Sequence, residues 1–104
     1  MSITTAESKI PPIHPGEILL EDFLKPLNMT TGQLAAELHI PVERIDQIIQ
    51  GQQSITADIA LRLGRYFGNG AGIWLRLQVQ YDLEITEAQI GDQIKREVRT
   101  LQAA

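Results

Sequence analysis

Apolar residues recur at spacings of three and four along most of the chain, and proline, glycine and asparagine interrupt the pattern. This period is typical of amphipathic α-helices, whereas no alternating stretch is long enough to predict a sheet. The pattern therefore predicts an all-α fold, a compact bundle of five to six short helices. We expect a flexible polar arm over residues 1–12, a helical domain over residues 13–84 and a C-terminal amphipathic helix over residues 85–104.

Start and stop signals place the individual helices. Pro15 suits the first position of a helix that ends before Pro26. Thr30 predicts the N-cap of a second helix, because Gln33 stands where its capping-box partner belongs. A third helix is predicted over about residues 42–50, ending at Gly51, and a fourth begins after the N-cap Thr56. A fifth is predicted over about residues 71–83, after the turn Asn69-Gly70. A second capping box, of Thr86 and Gln89, predicts the start of the C-terminal helix.

The segment from Thr30 to Gly51, TTGQLAAELHIPVERIDQIIQG, joins two short helices through a tight turn. The small side chain of Ala35 allows the two helices to cross closely, which is the geometry of a helix-turn-helix. In that motif the second helix enters the major groove of DNA while the first spans the phosphates. The predicted fold is therefore a lambda-repressor-like bundle with a reading helix at about residues 42–50.

Ile45, Ile48 and Ile49 form an apolar stripe on the third helix, so its other positions face outward. Arg44 can bond guanine or a phosphate, and Gln47 can bond an adenine edge with two hydrogen bonds. The predicted base-reading residues are Val42, Glu43, Arg44 and Gln47, and the predicted phosphate contacts are Thr30, Thr31, Gln50, Gln52, Gln53 and Ser54.

The charge of the chain opposes this assignment. The net charge is −4 and the isoelectric point lies near 5.0, so the overall field repels phosphate. Residues 30–54 carry a formal charge of −2, because Arg44 is set against Glu37, Glu43 and Asp46. We expect weaker and less salt-dependent binding than a basic reading helix would give, and a plain solvated surface is the alternative for the predicted base readers.

Three segments together resemble the HigA-type antitoxins of bacterial toxin–antitoxin modules, within the Xre-like helix-turn-helix class. They are HPGEIL at residues 14–19, ITADIALRL at residues 55–63, and IWLRLQ followed by YDL within residues 73–83. The resemblance covers about residues 14–83 and implies the helix-turn-helix fold. It also implies a homodimer that represses its own operon, and that binds and neutralises a HigB-type toxin, an mRNA-cleaving ribonuclease of the ParE/RelE kind.

Two features depart from the family pattern. His39 occupies a turn position that the family usually fills with glycine, which requires a positive φ at some energetic cost. Gln52 and Gln53 follow Gly51 where lysine or arginine is common in the family. Two alternatives therefore stay open: a toxin-binding interaction module with little DNA binding, and a free-standing transcriptional regulator.

An apolar stripe in the C-terminal part of the chain has no partner that the pattern identifies. It can pack on its own domain, seal a dimer or lie on the toxin. The predicted residues for dimer or partner packing are Trp74, Tyr81, Ile90, Ile94 and Val98.

Composition argues against several other classes of protein. The chain has no cysteine, no glycine-rich phosphate loop and no nucleophile motif, so we predict no catalytic residue and no cofactor. His14 and His39 lack clustered carboxylate or thiolate neighbours, so we predict a cap and a turn rather than a metal site. No apolar run approaches the roughly 18 residues of a membrane span, and the N-terminus does not resemble a signal peptide. The prediction is a cytoplasmic, non-enzymatic protein whose partners are operator DNA and a toxin.

Overall fold

The computed structural model describes residues 11–102, so the predicted arm over residues 1–12 falls almost entirely outside the described residues. Within that range the chain forms five helices and no strand, which confirms the all-α prediction. Helix α1 comprises an α-helical turn, Pro15–Ile18, and a π-helical turn, Leu19–Leu24. The other helices are α2 at Thr31–Leu38, α3 at Val42–Ile49, α4 at Ala57–Phe67 and α5 at Ala71–Glu97.

The helices begin where the capping signals predicted. Pro15 takes the first position of α1, and the Nδ1 atom of His14 accepts a hydrogen bond from the Gly16 amide at 2.9 Å. At α2 the capping box is complete: the Gln33 amide donates to Thr30 Oγ1 at 3.0 Å, and the Thr30 amide donates to Gln33 Oε1 at 2.8 Å. At α4 the Thr56 hydroxyl alone provides the cap, accepting from the Ile59 amide at 3.3 Å.

The π-helical turn of α1 was not predicted. It is closed by a hydrogen bond from the Lys25 amide to the Leu20 carbonyl at 2.9 Å, five residues back instead of four. This wider turn lets Leu19 and Leu24, five positions apart, both point into the core. A search for a 3.6-residue period cannot distinguish this arrangement from an ordinary helix.

Trp74 of α5 lies at the centre of the core and is fully buried. Its ring centroid lies 5.0 Å from that of Phe23 and 6.2 Å from that of Phe67. Its indole N–H donates to Asn69 Oδ1 at 3.1 Å, which satisfies the polar edge of the ring. Of the alternatives left open for Trp74, packing on its own domain is therefore the one observed, because no part of this side chain reaches the surface.

The predicted break between a fifth helix and a C-terminal helix is also wrong. Helix α5 runs without interruption for 27 residues, through both Thr86 and Gln89 of the predicted capping box. No proline or glycine lies between Leu83 and Thr86, and a hydrogen bond from Gln80 to Glu84 at 2.7 Å supports the helix there. A capping box starts a helix only where its N-cap residue leaves the helical conformation, and Thr86 stays helical here.

The second half of α5 projects from the bundle. Trp74 and Gln78, the buried residues of α5, both lie in its first third. The radius of gyration is 17.2 Å, against about 13 Å for a compact domain of this length. The prediction of a compact bundle therefore holds for α1 to α4 and the start of α5, but not for the projecting part. We call residues 83–97 the α5 arm.

Candidate nucleic-acid interface

Helices α2 and α3 are joined by a tight turn at residues 39–41. His39 ends α2 in the left-handed conformation, with φ of +59° and ψ of 47°, as its position in the turn predicted. The amide of Ile40 donates back to the Ala35 carbonyl at 3.1 Å, which closes the end of α2. Pro41 then takes the N-cap position of α3 in an extended conformation. The two helices share the core through Leu34, Ala35, Leu38, Ile45 and Ile48.

The outward face of α3 carries most of the predicted base-reading residues. Glu43 and Gln47 are exposed, and the Arg44 side chain is 41% exposed. Val42 is different, because it is half-buried and packs against the core, so only part of its side chain is free for contact. Gln50, a predicted phosphate contact, is exposed at the C-cap of α3.

Gly16 fixes the inner face of α3. A Cβ atom at this position would overlap the carbonyl of Ile48 and lie 2.9 Å from Cα of Ile49. Helix α1 therefore touches α3 backbone to backbone, which leaves no room for a side chain between them. Sequence reasoning did not single out Gly16. The available signal was a glycine in the first turn of a helix, where glycine costs stability unless a close approach requires it.

The segment that follows α3 is held in place by a buried glutamine. Gln78 Oε1 accepts a hydrogen bond from the Ile55 amide at 2.7 Å, and its Nε2 donates to Asp82 Oδ1 at 3.0 Å. The first bond ties Ile55, at the end of the segment, to α5, and the second lies within α5 and holds the amide group of Gln78. Gln78 was also missed, although it lies one helical turn after Trp74 and therefore on the buried face of α5.

His14 supports the same segment from the other side. Its ring packs edge-on against Tyr81 at a centroid distance of 4.9 Å and lies next to Gly51. Partial burial lowers the pKa of His14 below its ordinary value, and the Gln53 backbone and the Asp82 carboxylate oppose this with smaller effects. A neutral ring suits the cap, because Nδ1 must be unprotonated to accept from the Gly16 amide. The predicted capping role of His14 is thus confirmed.

Four of the predicted contact residues meet at a small polar notch of about 60 Å³ between α3 and the segment after it. Arg44 and Gln47 contribute from α3, while Gln53 and Ser54 contribute from the segment. The other predicted phosphate contacts do not line the notch: Thr30 and Thr31 lie at the start of α2, and Gln50 and Gln52 are exposed beside it.

Arg44 is not free in the notch. Its guanidinium lies 3.5 Å from one carboxylate oxygen of Asp58, whose other oxygen accepts a hydrogen bond from Arg62 at 2.7 Å. The Arg62 hydrogen bond, the largest effect, lowers the pKa of Asp58 below its ordinary value. The notch therefore offers amide, hydroxyl and guanidinium groups to a ligand, but its cation is already paired.

This arrangement defines the class of the protein. A capped helix, a three-residue turn that begins with the left-handed residue His39, and a second helix with one face in the core and the other in solvent form a helix-turn-helix. None of the protein-family models compared with the chain matches it.

Known proteins identify the family within this class. Virulence-associated protein I of Dichelobacter nodosus is 49% identical over 84% of this chain and 81% of its own length. The structure of an addiction module antidote protein of the HigA family from Coxiella burnetii is 43% identical with a TM-score of 0.85, over 88% of this chain and 100% of that one. The structure of Pseudomonas aeruginosa antitoxin HigA with the higBA promoter is 41% identical with a TM-score of 0.85, over 88% of this chain and 99% of that one. The chain belongs to the HigA family of helix-turn-helix antitoxins.

Proposed function

We propose that this chain is the antitoxin of a HigB/HigA-type module, a sequence-specific DNA-binding autorepressor that also neutralises a ribonuclease toxin. The observation that carries the DNA-binding part is the solvent-facing side of α3, with Gln47 and Arg44 beside the notch. The Pseudomonas aeruginosa HigA structure, which includes its promoter DNA, supports the same reading by homology. Toxin neutralisation rests on membership of the family.

The proposed DNA contacts are those that the sequence predicts. Gln47 and Arg44 read base edges, and Glu43 and the exposed part of Val42 lie beside them. Thr31 and the amides at the start of α2 approach one phosphate, while Gln53 and Ser54 approach another from the far side of the notch. The remaining proposed phosphate contacts are Thr30, Gln50 and Gln52.

The proposed partners include a second copy of the chain. Ile90 and Ile94 on the projecting helix and Val98 at its C-cap are between 40% and 63% exposed, which supports pairing of this face in a homodimer. Tyr81, the other residue proposed for partner packing, is half-buried at the base of the arm, where it packs against His14. We place the protein in the cytoplasm with its DNA, and no helix among residues 11–102 is long and apolar enough to cross a membrane.

A salt-titrated binding experiment on the upstream DNA of the gene tests the repressor role. Gln47→Ala should cost about 1–3 kcal/mol of operator binding, because it removes a bidentate base contact. Arg44→Ala should weaken operator binding too. Gln89→Ala on the α5 arm serves as a control that leaves operator binding unchanged. Absence of binding at low salt would refute the repressor role.

The acidic surface around α3 favours a second candidate, a toxin-binding module with little DNA binding. Glu37, Glu43 and Asp46 outnumber Arg44 in residues 30–54 and repel phosphate. Co-expression with the product of the adjacent gene distinguishes the two candidates. Rescue from toxicity together with no operator binding supports the module, whereas operator binding without rescue supports a free-standing regulator.

A further inference from the structure

Asp58 divides its carboxylate between two arginines. It lies in the first turn of α4, with Oδ1 2.7 Å from Arg62 Nε and Oδ2 3.5 Å from a terminal nitrogen of Arg44. The contact with Arg62 is therefore the tighter of the two. Both pairs are partly exposed, which makes the longer one weak and open to exchange.

Arg62 anchors this carboxylate to the helix-turn-helix. Its NH1 atom donates to the Leu38 carbonyl at 2.7 Å, at the C-terminal end of α2. Its position is therefore fixed from two sides, by α2 through Leu38 and by its own helix through Asp58. The chain of contacts from Leu38 through Arg62 and Asp58 reaches Arg44 and thereby connects α2, α4 and α3.

Arg44 is the one basic residue within residues 30–54, so its availability sets the attraction of this region for phosphate. A phosphate on any DNA must displace Asp58 before it gains the full charge of Arg44. A base edge in the correct position, in contrast, offers directed hydrogen bonds to the guanidinium.

We propose that Asp58 is a specificity-determining residue, which positions Arg44 beside the notch and withholds its charge from phosphates of non-operator DNA. This inference rests on the proposed DNA-binding function of α3. The fixed position of Arg62 keeps Asp58 in place, so the carboxylate stays available to pair with Arg44. Removing the carboxylate is then expected to strengthen binding to all DNA and to reduce discrimination.

The test compares Asp58→Asn with the wild-type protein on two duplexes of equal length, the operator and a shuffled sequence, over a series of salt concentrations. For the shuffled duplex we expect about fivefold to tenfold tighter binding. The dependence of log affinity on log salt concentration should steepen by about 0.9 for each phosphate contact that the variant gains. The operator should gain less than half of that factor, so the ratio of the two affinities falls. The same change should disappear in an Arg44→Gln background.

Asp22→Asn is the matched control, because it removes one carboxylate charge from an exposed position on α1. Circular dichroism of each variant verifies that the helices are retained. Equal effects of Asp58→Asn and Asp22→Asn would mean that only net charge matters and would overturn the inference. Unchanged discrimination, or persistence of the effect without Arg44, would overturn it as well. Equal wild-type affinities for the two duplexes would instead contradict the proposed function itself.

Discussion

The bundle and the α5 arm differ in how far their apolar side chains are buried. Apart from Pro15, the buried apolar residues among residues 11–102 all lie between Leu19 and Trp74, and α3 joins this core through Ile45 and Ile48. Along the arm, Leu83, Ile90 and Ile94 are each at least 40% exposed. An isolated helix of this length is marginal in water, so the arm depends on something that covers its apolar face. The reading helix is thus fixed by the chain itself, whereas the arm leaves these apolar side chains exposed.

The largest effect is expected from charging the arm. Ile90→Lys with Ile94→Lys should convert the proposed dimer into monomers, because two ammonium groups on each chain would be buried in the interface. Loss of the second reading helix should weaken operator binding by roughly 100-fold to 10,000-fold. Light scattering measures the first effect and DNA titration the second.

The control for this pair is Gln89→Lys with Gln93→Lys, which adds the same charge at exposed polar positions of the same helix. It should leave the dimer intact. If both double variants stay dimeric, the apolar face of the arm is not the dimer surface.

Gly16→Ala tests the bundle, the other region of the comparison. The added methyl group has no space against the Ile48 carbonyl, so α1 and α3 must separate. We expect a loss of about 3 kcal/mol in the free energy of unfolding, at the upper end for overpacked sites. Urea denaturation measures it.

Gly91→Ala is the matching change in the arm, where the new Cβ would meet only the flexible side chain of Glu87, at 3.0 Å. The free energy of unfolding of that variant should rise by about 0.5–1 kcal/mol, since alanine is the better helix former. Similar stabilities for the two variants would show that the backbone contact of Gly16 is not tight.

The sequence predicted local features well and contacts between distant elements poorly. The Thr30 and Thr56 caps, the positive φ of His39 and the outward face of α3 depend on residues within one or two helical turns of each other. Gly16 and Gln78 act on partners that lie 32 and 23 residues away in the chain, so no local pattern identifies them. The continuity of α5 was missed for a related reason, since a capping box looks the same inside a helix as at its start.

Gln78→Ala removes the hydrogen bond that holds the segment after α3. The Ile55 amide would lose its acceptor in a buried site, so we expect the free energy of unfolding to fall by about 1–3 kcal/mol. Operator binding should fall further than stability alone explains, because Gln53 and Ser54 lose their support. Denaturation and DNA titration separate the two effects.

Gln93→Ala is the matched control. Gln93 also donates to an acidic residue four positions later, Glu97 at 3.1 Å, but it is exposed on the arm. Loss of this hydrogen bond should lower the free energy of unfolding by only a few tenths of a kcal/mol. A comparable cost at both positions would argue that burial of Gln78 contributes nothing.

The smallest expected effect is the dependence of the bundle's stability on pH, which arises from His14. Because burial lowers its pKa in the folded state, the unfolded chain binds the proton more readily, and folding is favoured with a neutral ring. This stability is fully present above the ordinary histidine pKa of 6.5 and is lost as the pH falls through the lower folded value. The melting temperature should therefore drop as the pH is lowered from 7.5 to 5.5.

His14→Asn should flatten that dependence, since asparagine caps a helix without titrating in this range. A pH dependence that persists in His14→Asn would show that it does not arise at the junction of α1, α5 and the segment after α3. His39→Gly should raise the free energy of unfolding by about 1 kcal/mol through relief of the positive φ. Because that junction lies in the bundle, deleting the arm should leave the pH dependence intact.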